Sequence, residues 1–133
     1  MSMPPVASGE WLARFVFFRN RIRHDGTLKA DEFVPFPHTG LSVTRHLRLT
    51  EADLWNIGQD IARQRGKPVL ARADLQASSF ERHRLRVIPA PVDRNANHAE
   101  VVGWPPEKSS QKIIAIEIAA DAGRVRMMPM ESQ

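Results

Sequence analysis

The sequence predicts an α+β domain, a largely antiparallel sheet with two main helices packed on one face. Three observations carry that prediction. Several short segments alternate apolar and polar residues, as half-buried strands do. Two longer stretches carry helix signals at both ends. The strands also follow one another too closely for a helix to lie between each pair, which favours hairpins. A doubly wound parallel sheet would need more crossover helices than 133 residues leave room for.

Residues 1–9 (MSMPPVASG) read as a flexible tail, 10–128 as a single domain and 129–133 as a C-terminal tail. Trp11 to Phe18 (WLARFVFF) is the first element. Trp11, Phe15, Phe18 and Ile22 fall at helical spacing, but Phe and Val favour a pleated surface and no good cap precedes them, so a strand is preferred. His24-Asp25-Gly26-Thr27 reads as a turn, and Phe33 to Gly40 as an extended connection pinned by prolines.

Leu41 to Leu49 alternates, with Leu41, Val43, Leu47 and Leu49 on one face and Ser42, Thr44, His46 and Arg48 on the other. Arg45 breaks the pattern by falling on the apolar face. Thr50 then caps a helix, with Asp53 completing a shortened capping box and Leu49 and Leu54 a hydrophobic staple. The helix should run from Glu51 to Arg65 and turn Leu54, Ile57 and Ile61 inward. Gly66 suits its left-handed exit and Pro68 prevents its resumption.

Val69 to Ala77 alternates again, and its alanines imply that something packs closely over it. Arg84 to Pro89 is the next strand, expected to pair with it through a turn near Ser78 to Arg82. Asp93 to Asn97 is a loop by composition, and His98 to Trp104 a short strand halted by Pro105-Pro106. A second helix should start near Ser109 or Ser110 and end at Gly123, with an edge strand in Arg124 to Met130.

Composition narrows the function more by exclusion than by assertion. The hydrophobic share of 42% and charged share of 26% are those of a globular chain. Cysteine is absent, which removes disulfides, thiolate metal sites and cysteine nucleophiles together. The start has no secretory signal and no apolar run reaches membrane-spanning length, so the expected compartment is the cytoplasm. A pI of about 10.3 suggests a nucleic-acid partner, yet the net charge is only +4. With no Tyr or Cys, little titrates between histidine and lysine, so a small excess of charge drives the pI far up. Phosphate-binding glycine loops, nucleophile elbows and zinc signatures are missing.

Arg45 is the most informative residue, because a guanidinium on a core-facing position is costly unless paired or bound to an anion. It could grip a carboxylate or phosphate, or pair with Asp74, Glu100 or Glu117 as structural glue. His98 follows the polar loop of Asn95 and Asn97 and suits acid-base or ligand-gripping work; the plainer role is a cap on a backbone carbonyl. Arg14, Arg19, Arg21 and Arg23, with Arg82, Arg84 and Arg86, would form one positive stripe if the first and fourth strands were neighbours. His24, Asp25 and His38 lack ligand spacing, so no metal site is expected, and His46 and His83 read as solvent-facing. Trp104 reads as a ledge for a partner or as a lid on the core edge.

The segments Leu41-Ser42-Val43-Thr44-Arg45, Asn97-His98-Ala99-Glu100-Val101 and Gly103-Trp104-Pro105 resemble a group of small uncharacterised bacterial proteins. These carry an L-S-V-x-R strand and a later N-x-x-H-A-x-[IV] segment. The resemblance spans roughly Phe15 to Ala122 and implies that Arg45, Asn95 and His98 belong together, without implying an activity or a cofactor. Where the pattern prefers proline, this chain has Ala96. The leading expectation is a small bacterial binding or accessory domain with a polar, anion-binding pocket of Arg45, Asn95 and His98. Its partner would be an anionic small molecule or a protein. A small enzyme with His98 as general acid or base ranks second, lacking a nucleophile or cofactor motif. A nucleic-acid binder using the arginine stripe ranks third.

Overall fold

A computed structural model describes residues 3–130. In chain order it has strand β1 (Trp11–Val16), β2 (Leu41–Arg45), helix α1 (Glu51–Arg65), β3 (Ala71–Gln76), the single-turn α2 (Ser78–Glu81), β4 (Arg86–Pro89), β5 (His98–Val102), α3 (Lys108–Ala122) and β6 (Arg126–Met127). Two short 3-10 turns, Arg19–Arg21 and Ala30–Phe33, lie between β1 and β2. The strands form one six-stranded sheet in the order β4-β5-β2-β1-β3-β6. Every pairing is antiparallel. The α+β class with two main helices and a C-terminal edge strand is the one the sequence predicts.

The placement of the helices differs from the expectation of one shared face. Leu12 and Val16 of β1 join a core with Ala71, Ala73, Leu75, Val43, Val101 and α3's Ala115, Ile118 and Ala119. The intervening Ala13 and Phe15, with Phe17 just beyond the strand, join a second core with Leu54, Trp55 and Ala62 of α1. Successive strand residues point to opposite faces, so α1 and α3 bracket the sheet. The signal was the near-continuous apolar run of β1, which marks a strand covered on both sides.

The helix α1 forms as its caps dictate. Thr50 Oγ1 accepts the Asp53 backbone N–H at 3.1 Å, and Asp53 Oδ2 accepts the Thr50 N–H at 2.9 Å. Those bonds hold the Asp53 carboxyl below its ordinary value. Gly66 closes the helix in the left-handed region at φ 67°. Gly58 faces the sheet, where an added Cβ would lie 2.8 Å from the Phe15 ring, so the helix approaches β1 closely only because that side chain is missing.

Two more expectations change. Segment 78–81 is a helical turn that sends Phe80 into the core, so β3 does not turn back onto β4. Instead β3 pairs with β1 and β6, and β4 with β5. The expected loose N-terminus is anchored over its described part: Val6 packs on the core, and the Ser8 and Glu10 carbonyls accept the N–H groups of Ser78 and Ala77 at 2.8 and 2.9 Å. Residues 1–2 and, of the expected C-terminal tail, 131–133 lie outside the described residues. No helix among the described residues is long and apolar enough to cross a membrane.

Candidate functional site: a cleft over the uncovered half of the sheet

Helix α1 covers β1 and β3 but leaves the same face of β2, β5 and β4 without a helix. The register sets Ser42, Glu100 and Ile88 side by side on that face, with Thr44 opposite His98 one step along. Above them opens a cleft of about 870 Å³. That lies within the range of roughly 300–1,000 Å³ typical of small-molecule sites. Phe17 and Phe18 form one wall and the connection 34–40, with Phe36, the other. The buried Gln111 of α3 fixes this connection by accepting the Phe36 N–H at 3.1 Å while donating to the Pro105 carbonyl at 2.8 Å. Gly40 leaves room for the Glu100 carboxylate, whose Oε2 would lie 2.6 Å from a Cβ at that position.

Polar chemistry enters the cleft from three directions. Where β1 and β2 diverge past Ala13↔Thr44, Arg14 fills the gap, donating from Nε to Glu32 Oε2 at 3.0 Å and from Nη1 to the Ser42 carbonyl at 2.9 Å. Burial pulls the Arg14 guanidinium below its ordinary value, and the Glu32 carboxylate opposes that pull. Arg21 lies 3.7 Å from the other Glu32 oxygen. At the mouth, Arg65 sits over the Phe17 ring at 4.7 Å, and Arg21 and Lys67 over Phe18 at 5.6 and 5.1 Å. Arg65 and Lys67 have no carboxylate partner among the described residues, so cationic charge is left for an incoming group. Next to the floor residues Ser42 and Glu100, His98 Nδ1 lies 2.8 Å from the Ala90 carbonyl, an obligate acceptor, so that nitrogen carries the proton. Its Nε2 lies 3.5 Å from Glu100 Oε1, which also accepts from Ser42 Oγ at 3.3 Å. His98, Ser42 and Arg65 together line a small pocket that shares Arg14, Phe17, Ser42 and Arg65 with the cleft.

The residues singled out by the sequence do not form one pocket. Asn95 donates to Thr44 Oγ1 at 3.0 Å beside His98, so those two are brought together. Arg45 points to the opposite face. Its guanidinium, 1% exposed, is gripped by both carboxylate oxygens of Glu10 and donates to the Pro4 carbonyl at 2.8 Å. This is the pairing the apolar position demanded, but with an acid 35 residues earlier that no periodicity connects to it. His98 does cap a backbone carbonyl, and Asn97 serves the turn by donating to the Arg45 and Leu47 carbonyls.

The arginine stripe does not assemble either, because β5 and β2 lie between β4 and β1. Arg14 and Arg21 face Glu32, Arg82 pairs with Asp121, and Arg19, Arg84 and Arg86 stand exposed in separate places. His46 and His83, expected in solvent, are largely covered: His46 Nε2 meets Asp74 Oδ1 at 2.9 Å and His83 Nδ1 lies 3.5 Å from Glu117. Asp25 and its turn hold each other through bonds from Thr27, which keep the Asp25 carboxyl below its ordinary value. Among the described residues no group of three His, Asp or Glu side chains could hold a metal ion. Trp104 packs against the core edge and donates to the Val101 carbonyl at 2.9 Å.

Sequence reasoning misses Glu32, Arg65 and Phe36 as site residues and offers Phe17 and Phe18 only as stacking partners for a base. Glu32 sits in a stretch without periodicity, and Arg65 stands in the last turn of α1, where a basic side chain already suits the helix dipole. The fold and the cleft define an antiparallel α+β domain with half of one sheet face left open. Compared with protein-family models, curated proteins and solved structures, the chain matches none.

Proposed function

We propose that this chain is a small binding domain whose cleft takes an anionic small molecule with a flat apolar part. The observation that carries the reading is the wall of the cleft, where Arg21 and Arg65 ride on Phe18 and Phe17 above a polar floor, with Lys67 over Phe18 beside them. Cations stacked on rings leave one apolar wall for the body of a ligand and a charged edge for its anion. The expected anion site is thus kept in kind and moved from Arg45 to this cleft. Titration with adenosine monophosphate and with naphthalene-2-carboxylate, followed by amide shifts, should perturb Phe17, Phe18, Ser42 and Glu100. Arg65→Met should weaken either probe about 5- to 20-fold, the worth of one charge-assisted contact. Shifts confined to other parts of the sheet would sink the reading.

A second reading, a small enzyme, is favoured by the position of His98 in the small pocket beside this cleft, its Nδ1 proton fixed by Ala90 and its Nε2 beside Glu100, which does line the cleft. That geometry suits a group that takes up or releases a proton at Nε2. Incubation of the protein with a bound ligand, followed by proton spectra, should show conversion by the natural chain and none by His98→Gln, with binding retained in both. A ligand left chemically intact by the natural chain speaks for binding alone.

A further inference from the structure

A second polar recess lies at the opposite end of α1 from Arg65. It has a volume of about 410 Å³ and is lined by Trp11, His46, Arg72, Asp74, Arg124 and Arg126, with Glu51 at its edge. Its floor is an ordered charge array. The Arg72 guanidinium, 1% exposed, is held by both oxygens of Glu51 at 2.7 and 2.8 Å and by Asp74 from 3.0 Å, with the Trp55 ring 4.8 Å away. Asp74 also receives His46 Nε2 at 2.9 Å and Arg126 Nε at 3.3 Å.

Two consequences follow from this array. Asp74, surrounded by donors, is a carboxylate, so His46 presents Nε2–H to it and leaves Nδ1 without a partner among the described residues. The charges are also uneven. Arg72, Arg124 and Arg126 face Glu51 and Asp74, and exposed Arg124 has no carboxylate partner among the described residues. Beside them Trp11, which is 49% exposed, offers an indole face.

We propose that this recess is a second binding site, taking an oxyanion, phosphate or carboxylate, between Arg124, Arg126 and His46. The anion is held by the two guanidinium groups, and the imidazole, oriented by Asp74, supplies a hydrogen bond from Nδ1 when protonated. Trp11 covers whatever flat group the anion carries.

The test uses the full chain with pyrophosphate and, separately, malonate at constant ionic strength. The readouts are the His46 imidazole and Trp11 indole resonances, with the Trp104 indole as reference. A saturable response at His46 and Trp11 is expected in the millimolar range or tighter. It should weaken at least 5-fold in both Arg124→Met and His46→Gln, neither of which removes a buried charge. Response to pyrophosphate alone identifies a phosphate site, and response to malonate alone a carboxylate site. Both outcomes support the proposal. Response to neither, or one that rises linearly and equally in Arg124→Met, overturns it and leaves the array as structural. The cleft over β2, β5 and β4 is unaffected by either result.

Discussion

Arg45→Met should destabilise the protein by roughly 3–5 kcal/mol, the cost of breaking a buried ion pair on one side. The substitution keeps an unbranched apolar stem but strands the Glu10 carboxylate, whose side chain is 12% exposed, and strips the donor from the Pro4 carbonyl. Because Pro4 and Glu10 belong to the segment before β1, the loss should also release that segment, which a limited proteolysis time course will show as early cleavage before Trp11. Urea unfolding gives the free energy, and a melting temperature lower by roughly 10 °C or more is expected for a chain of this size. Adding Glu10→Met should restore much of the loss, since an apolar pair in place of a buried ionic one is often neutral or better. Binding at the cleft should not change. If Arg45→Met instead left stability intact, the guanidinium would be free for a ligand and the structural role assigned to it would be wrong.

Asp74→Asn should cost about 2–4 kcal/mol at neutral pH, because it removes the more buried of the two carboxylates paired with a guanidinium that has almost no access to water. Glu51, largely exposed, remains as partial compensation. The effect carries a pH signature. Burial pushes the Asp74 carboxyl up, but hydrogen bonds from His46 and Arg72 outweigh it and hold the group below its ordinary value. A carboxyl depressed on folding stabilises fully above its unfolded value, near 3.9, and loses that contribution as pH falls through the folded value. Glu51, lowered chiefly by its bond from Arg72, acts in the same direction. The natural chain should therefore weaken on acidification below about pH 4, and the gap to Asp74→Asn should close there. Urea midpoints for both chains at neutral pH and near pH 3 decide the matter. A gap that persisted unchanged in acid would mean that Asp74 acts through packing and not through charge.

The candidate cleft was far less legible than the elements around it. Its floor residue Ser42, with Thr44 beside it, sat correctly on a polar strand face, but a polar face looks the same in sequence whether it meets bulk solvent or lines a recess. The cleft exists because α1 covers only β1 and β3. That depends on which strands are neighbours, and strand order leaves no local mark. The Arg45 pairing shows the same limit from the other side: the pattern break announced that a partner was required, and the partner lay in a stretch with no periodicity at all.

Local chemistry alone determined the approximate strand positions, the capped helix at Thr50, its left-handed stop at Gly66 and the demand that Arg45 be satisfied, although the strand expected to reach Leu49 stops at Arg45. These follow from the pleat, the capping bond and the cost of an unpaired charge, each acting over a few residues. Only the tertiary structure decided that α1 and α3 take opposite faces, that β3 leaves β4 for β6, and that Glu10 rather than a ligand answers Arg45. Those outcomes rest on contacts between distant segments, where the competing arrangements differ in packing while sharing the same local preferences.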